Sequence, residues 1–328
     1  MPAAGATSIL AALTLAFTAL SLALGPSDLS FSEIVAGFFT GDGVAGTVAR
    51  EIRGPRAGLA LIVGAALGAS GAALQGLFRN PLAEPGITGV SACAGLGAVI
   101  ALYFGIASQN AFALPIFAIV GAFGSALILY ALARARATVL GLVLAGVAIS
   151  SLAAALTAFT LSVARNPYAM TEMVLWLMGS LKDRTIADLA FAVPLVGAGI
   201  VILVSTSRAL DALTLGEDAA ASLGVNISGA RIRVIVGVAL ATGAATAAAG
   251  AVAFVGLVVP HLLRPFYGYG PGRLILPSAL GGAALVSVAD VAVRVASPPS
   301  GELLLGVFTA MIGAPFFLWL ILRLRAEG

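Results

Sequence analysis

Uncharged apolar runs alternate with short polar stretches along the whole chain, and the charges gather in the polar stretches. No charge occurs in residues 1–27, which predicts a first helix over about 7–25. A cleaved signal peptide is the rival reading of that segment, but the basic n-region it needs is missing. Residues 28–56 form a polar connection holding Glu33, Asp42, Arg50, Glu51, Arg53 and Arg56. Residues 57–78 are again uncharged, and a helix needs about 20 apolar residues to cross a bilayer. Beyond the turn 79–85 there is no charge until Arg134, room for two spans, and polar Ser108, Gln109 and Asn110 divide them into 86–105 and 111–133. Further spans are predicted over 138–161 and 189–207, separated by a polar segment, 165–188, with an apolar patch around Trp176.

Residues 208–233 are the longest charged connection. Their Leu210, Leu213, Leu215 and Leu223 recur at near-helical spacing, which predicts short helices on a membrane surface. Residues 234–260 are too long for one span and short for two, so a helix is placed over 232–250 and a shorter one over 252–266. The Gly/Pro turn 268–273 leads to the last two, 274–293 and 303–322. The pattern therefore predicts an all-α, polytopic membrane protein of about ten helices, with residues 1–328 forming one transmembrane domain.

Composition agrees with this class and removes others. Charged residues make up 9% of the chain, against about a quarter in soluble domains, and mean hydropathy is +1.10. A net charge of +3 comes without the basic stripe and interleaved aromatics of a nucleic-acid binder, so no nucleic-acid partner is expected. The single lysine, Lys182, stands between Leu181 and Asp183, so no Gly-Lys-Ser/Thr phosphate loop exists and the chain is not its own ATPase. One cysteine (Cys93) and one histidine (His261) supply neither a disulfide framework nor a Cys/His zinc cluster, and no metal or cofactor is expected on this chain.

With both termini cytoplasmic, the positive-inside rule receives ten of the 17 cations inside and seven outside, the outer set being Arg50, Arg53, Arg56, Arg165, Lys182, Arg184 and Arg294. Small-xxx-small pairs (Gly64 with Gly68, Gly121 with Ser125, Gly146 with Ser150, Gly243 with Ala247) predict close helix packing, because lipid removes the usual hydrophobic drive between helices. Arg53-Gly-Pro-Arg56 opens a Gly/Ala-rich span followed by a Pro-containing turn and another helix. Arg231-Ile-Arg233 opens a second such span, followed by Val259-Pro260-His261 and a short helix. In the predicted topology these segments run in opposite directions, the arrangement of an inverted-repeat transporter.

An ion-coupled secondary transporter keeps ionisable groups inside the membrane, but mid-helix carboxylates are absent from the predicted spans and Asp290 lies near a helix end. An intramembrane enzyme would need a metal triad, paired carboxylates or a Ser/His pair, and His261 is the only imidazole. A conduit driven by another protein remains.

Seven motifs occur in order: Arg53-Gly-Pro-Arg56; Arg79-Asn80-Pro81-Leu82-Ala83-Glu84-Pro85-Gly86; Leu144-Ala145-Gly146-Val147-Ala148; Trp176-Leu-Met-Gly179-Ser180-Leu181; Leu215-Gly216-Glu217 with Leu223-Gly224-Val225; Phe254-Val-Gly256-Leu257-Val258-Val259-Pro260-His261; and Gly313-Ala314-Pro315-Phe316-Phe317. Together, over about residues 50–322, they resemble the FecCD family, the permease subunits of binding-protein-dependent ABC importers for iron-siderophore, haem and cobalamin. The resemblance implies a type II importer permease of ten helices in the bacterial inner membrane. It also implies a homodimer, two cytoplasmic ATPase subunits that use ATP and Mg, and a periplasmic substrate-binding protein.

By similarity, Leu210, Leu213, Leu215, Gly216, Glu217, Ala220, Leu223 and Gly224, within a connection of about 208–230, would couple to the ATPase. Arg53, Arg56 and Arg294 would dock the binding protein. Asn80 and Leu82, with Thr138 and Val139, would form the cytoplasmic gate, although Val139 departs from the polar pairs common there. The Pro-His pair occurs in the family whatever the cargo, so His261 is read as structural and not as a haem ligand. Iron-siderophore is the expected cargo. Haem and cobalamin remain alternatives, and a secondary transporter is the alternative from another class.

Overall fold

A computed structural model of the chain describes residues 3–25, 29–110, 112–135, 138–164, 166–298 and 301–326. Asp28 and Arg165 lie outside the described residues. Among the described residues there are helices and connections and no strand. In chain order the helices are α1 (Ala3–Ala23), α2 (Phe31–Thr40), α3 (Gly43–Thr47), α4 (Gly54–Phe78), α5 (Val90–Tyr103), α6 (Ala113–Arg134), α7 (Val139–Ser162), α8 (Pro167–Leu177), α9 (Ile186–Ser205), α10 (Ser207–Leu213), α11 (Glu217–Ser222), α12 (Ile227–Ala249), α13 (Val255–Tyr267), α14 (Pro271–Ala296) and α15 (Leu305–Ala326).

The ten predicted spans correspond to α1, α4 to α7, α9 and α12 to α15. Seven of the described helices are long and apolar enough to cross a membrane. Two of the expected spans are shorter: α5 has 14 residues and α13 has 13, about 20 Å of helix each. The polar connection 28–56 is itself mostly helical. Ser30 and Glu33 form a capping box that starts α2, left-handed Gly41 ends it, and a π-helical turn over Val48–Arg53 runs directly into α4. The segment after α7 likewise contains α8, started by Asn166, whose side chain caps Ala169 N–H, and by Pro167 in the first turn.

The interior is built from α4, α12 and α14, whose inward residues are chiefly Ala, Gly and Val. At the α4–α14 crossing a Cβ on Gly64 would collide with the carbonyl of Gly282, and one on Gly68 with that of Ser278. Gly121 meets the Cys93 carbonyl in the same way, joining α6 to α5, and Gly146 meets that of Ile87. In three of the four small-residue pairs the glycines therefore stand where one backbone leans on another, whereas Gly243 of the fourth faces the Ala122 methyl.

The two short helices give the inverted repeat its form. Each follows a long buried helix and a turn, α5 after α4 and α13 after α12. Their entrances meet within the bundle, where a Cβ on Gly256 would lie 2.8 Å from Pro85 Cδ. From there they diverge. The end of α5 shares a cavity with Asn166, Arg184 and Asp188, whereas Arg264 and Tyr269, at and beyond the end of α13, share one with Asn80 and Thr214. These are opposite ends of α4, since Arg53, Arg56 and Arg184 line one cavity and Asn80 follows the helix at its other end.

Candidate functional site

The two ends of α4 hold the residues singled out by the sequence. At the first, three arginines converge on the end of α1 and on two carboxylates. Arg53 closes the π-helical turn and donates to the Leu22 and Ala23 carbonyls at 2.8 and 2.6 Å. Arg294, in the last turn of α14, donates to the Ser21 and Leu24 carbonyls at 3.0 and 2.6 Å and to Ser21 Oγ at 2.8 Å. These arginines satisfy carbonyls that the end of α1 leaves without intrahelical partners.

Arg56 lies in the first turn of α4, directly after the π-helical turn that feeds it, and burial withdraws its guanidinium from solvent. Asp290 and Glu302 offset this. Arg56 Nε and Nη2 donate to Asp290 Oδ1 at 2.9 and 2.8 Å, Nη1 donates to Glu302 Oε2 at 3.1 Å, and Nη2 also meets Glu302 Oε1. Asp290 additionally pairs with Arg294 at 3.1 Å. Three cations thus face two carboxylates beside a cavity of about 350 Å³, lined also by Gly25, Ile52, Lys182 and Arg184. Burial holds the Arg184 guanidinium below its ordinary pKa, a pull that Asp188 and Asp183 oppose.

The structure therefore brings Arg53, Arg56 and Arg294 together, and it buries the first two: Arg53 is 4% exposed and Arg56 9%. Sequence reasoning missed the carboxylate partners. Asp290 had a local signal, standing four residues before Arg294 on one helix face. Glu302, in the connection after α14, had none.

At the other end, α10 and α11 are joined through Gly216, whose φ of 102° suits a residue without a side chain. Leu210, Leu213 and Ala220 are buried and hold the pair on the bundle, while Leu215 and Leu223 project at 67% and 66% exposure. Asp211 accepts from Gly272 N–H at 2.8 Å, tying α10 to the start of α14. Glu217 pairs with Arg231 at 2.7 Å, tying α11 to α12, and left-handed Gly224 closes the segment.

Asn80 follows the left-handed Arg79 that ends α4, and its side-chain oxygen accepts from Leu82 N–H at 2.9 Å, fixing the turn. It lines a cavity of about 250 Å³ with Gln75, Arg79, Thr214, Arg264 and Tyr269. Gln75 bridges α4 and α13 there, donating to the Gly256 carbonyl at 3.2 Å and accepting from Arg264 at 2.6 Å. Thr138 caps the start of α7 by accepting from Gly141 N–H at 3.1 Å, and neither it nor Val139 lines that cavity. His261 packs edge-on against Phe316 of α15, with ring centroids 5.9 Å apart. Among the described residues, no group of three or more His, Cys, Asp or Glu is arranged to hold a metal ion.

Comparison with known proteins covers nearly the whole chain. The profile of the FecCD transport family matches residues 13–323. The Fe(3+) dicitrate transport system permease FecD of Escherichia coli K12 is 41% identical over 278 residues, 85% of this chain and 86% of that one. The hemin transport system permease HmuU of Yersinia pestis is 38% identical over 281 residues, 84% of each. The vitamin B12 import system permease BtuC of Vibrio cholerae is 41% identical over 276 residues, 83% of this chain and 82% of that one. A solved structure described as a metal-chelate type ABC transporter in an inward-facing conformation matches with a TM-score of 0.85 at 30% identity, covering 96% of this chain and 97% of that one.

Proposed function

The chain belongs to the FecCD transport family and is an ABC-importer permease, a multi-pass transport component and not an enzyme; from that premise we propose that it carries an iron-siderophore chelate from periplasm to cytoplasm across the bacterial inner membrane. The observation that carries the importer reading is the family match that runs through the chain from α1 to α15, and the 41% identity to an Fe(3+) dicitrate permease over 278 residues supports an iron chelate as cargo. Haem and cobalamin are second readings, supported by relatives of 38% and 41% identity whose names specify those cargoes.

The working assembly in this proposal is a homodimer with two cytoplasmic ATPase subunits, which bind ATP and Mg, and a periplasmic substrate-binding protein. The projecting Leu215 and Leu223, on a segment anchored by buried Leu210, Leu213 and Ala220, suit a pair of knobs seated in a cleft of the ATPase. Docking of the binding protein falls to the end bearing Arg53, Arg56 and Arg294. Electrostatic complementarity there would set encounter rate and register. The gate falls to Asn80 and Leu82 with Thr138 and Val139 of the two subunits. Both termini are assigned to the cytoplasm; for the amino-terminal end this is supported by the 3.0 Å hydrogen bond between the hydroxyls of Thr7 in α1 and Tyr267, at the end of α13 that leads away from the arginines.

The test is uptake by proteoliposomes holding the permease and its ATPase, with ATP inside, binding protein outside, and labelled iron-siderophore, haem or cobalamin offered separately. ATP-dependent accumulation of the iron chelate is the expected result. Accumulation of haem or cobalamin alone would replace the cargo, and failure of any ATPase to co-purify would overturn the proposed assembly.

A further inference from the structure

Arg56 is held by two carboxylates of unlike standing. Asp290 belongs to the body of α14, its side chain is 1% exposed, and Arg56 and Arg294 share it. Glu302 belongs to the non-helical connection before α15, and its side chain is 18% exposed. Of the two, only Glu302 lines the cavity of about 350 Å³ beside Arg56. The backbone near it has its own anchor, since Leu303 N–H donates to Ser297 Oγ at 2.8 Å. The Glu302 side chain can therefore leave Arg56 without the connection losing that bond, whereas Asp290 cannot leave without taking a countercharge from two arginines at once.

We propose that Glu302 is a displaceable occupant of Arg56: a carboxylate of the incoming substrate-binding protein takes its place on docking, while Asp290 stays. This rests on the docking role given to Arg56 above. The physical reason is conservation of charge pairing. A buried cation is costly to leave short of a counter-charge. An exchange of one carboxylate for another keeps Arg56 paired before and after docking and releases Glu302 towards the cavity and its solvent. The partner surface that fits is acidic, with at least one Asp or Glu able to reach Arg56. Glu302 then acts as an internal competitor that weakens docking and hastens release.

The test uses the permease–ATPase complex in lipid nanodiscs and the binding protein of the same importer, with affinity measured at low and moderate salt. Glu302→Gln removes the competing charge and is expected to tighten binding about tenfold, chiefly through slower dissociation. Arg56→Glu is expected to weaken binding by more than about tenfold, in a salt-sensitive way. The double variant is expected to bind no more tightly than Arg56→Glu alone. Unchanged affinity in Arg56→Glu would overturn the docking role itself. Weakening in Arg56→Glu with no tightening in Glu302→Gln would overturn the exchange and leave the docking role standing. Should Glu302→Gln fail to assemble, Glu302→Asp, which withdraws the charge by one methylene, is expected to tighten binding by a smaller factor, and the absence of any tightening would overturn the proposal.

Discussion

Helices α4 and α12 are 78% buried over their apolar windows and α14 is 72%, whereas α7 is 17% and α9 22%. The buried helices are the less hydropathic of the two groups. In water the order would be reversed, since the most apolar helix gains most by entering the core. In lipid the surroundings are as apolar as leucine, and burial is sorted by how closely two backbones can approach. The inner helices carry Ala and Gly at their contacts. Leu140, Leu144, Leu152 and Phe159 of α7 turn outwards, each more than half exposed. Bulk marks the perimeter of this protein and smallness marks its interior.

The comparison breaks first at Gly68. A leucine there must displace the Ser278 carbonyl of α14, and the expected result is loss of assembled protein, a penalty of about 3 kcal/mol or more, read as the absence of a monodisperse peak in detergent. Normal assembly of Gly68→Leu would refute the account of the α4–α14 contact. Next is Asp290→Asn, which removes a buried countercharge from both Arg56 and Arg294. It is expected to destabilise the fold by about 3–5 kcal/mol, seen as a lower thermal midpoint in the same detergent. An unshifted midpoint would mean that the two arginines find compensation elsewhere. The smallest effect is expected on the perimeter, where Leu144→Ala should change stability by no more than about 0.5 kcal/mol. A loss comparable to that of Asp290→Asn would show that the outward face of α7 is covered in the assembled protein.

The positions of the helices were legible because a span must be uncharged and long, and few other segments here are both. Their lengths were less so. Pro85 and left-handed Gly89 before α5, and left-handed Phe254 before α13, cut those spans short through backbone conformation, which an apolar count does not register. Residues 28–56 misled for the opposite reason. Arg50 and Arg53 were placed in a polar connection, but both are spent on helix carbonyls, Arg50 on Phe38 and Phe39, and Arg53 on Leu22 and Ala23.

At the candidate site, family motifs located the arginines and the α10–α11 segment. The two halves of the expected gate differ, with Asn80 in a cavity and Thr138 occupied as a helix cap. The partners of Arg56 were beyond reach of any local rule, lying 234 and 246 residues away in the chain.

The two clasps on the end of α1 also set an order of events during synthesis. Arg53 reaches its first carbonyl across 31 residues of chain, but Arg294 reaches Ser21 across 273. During synthesis α1 therefore has the Arg53 clasp within reach early, but gains the Arg294 clasp only once α14 has been made. A nascent chain stopped before α14 has no second clasp to offer, so final anchoring of the first helix reports that the ninth of the ten predicted spans has arrived.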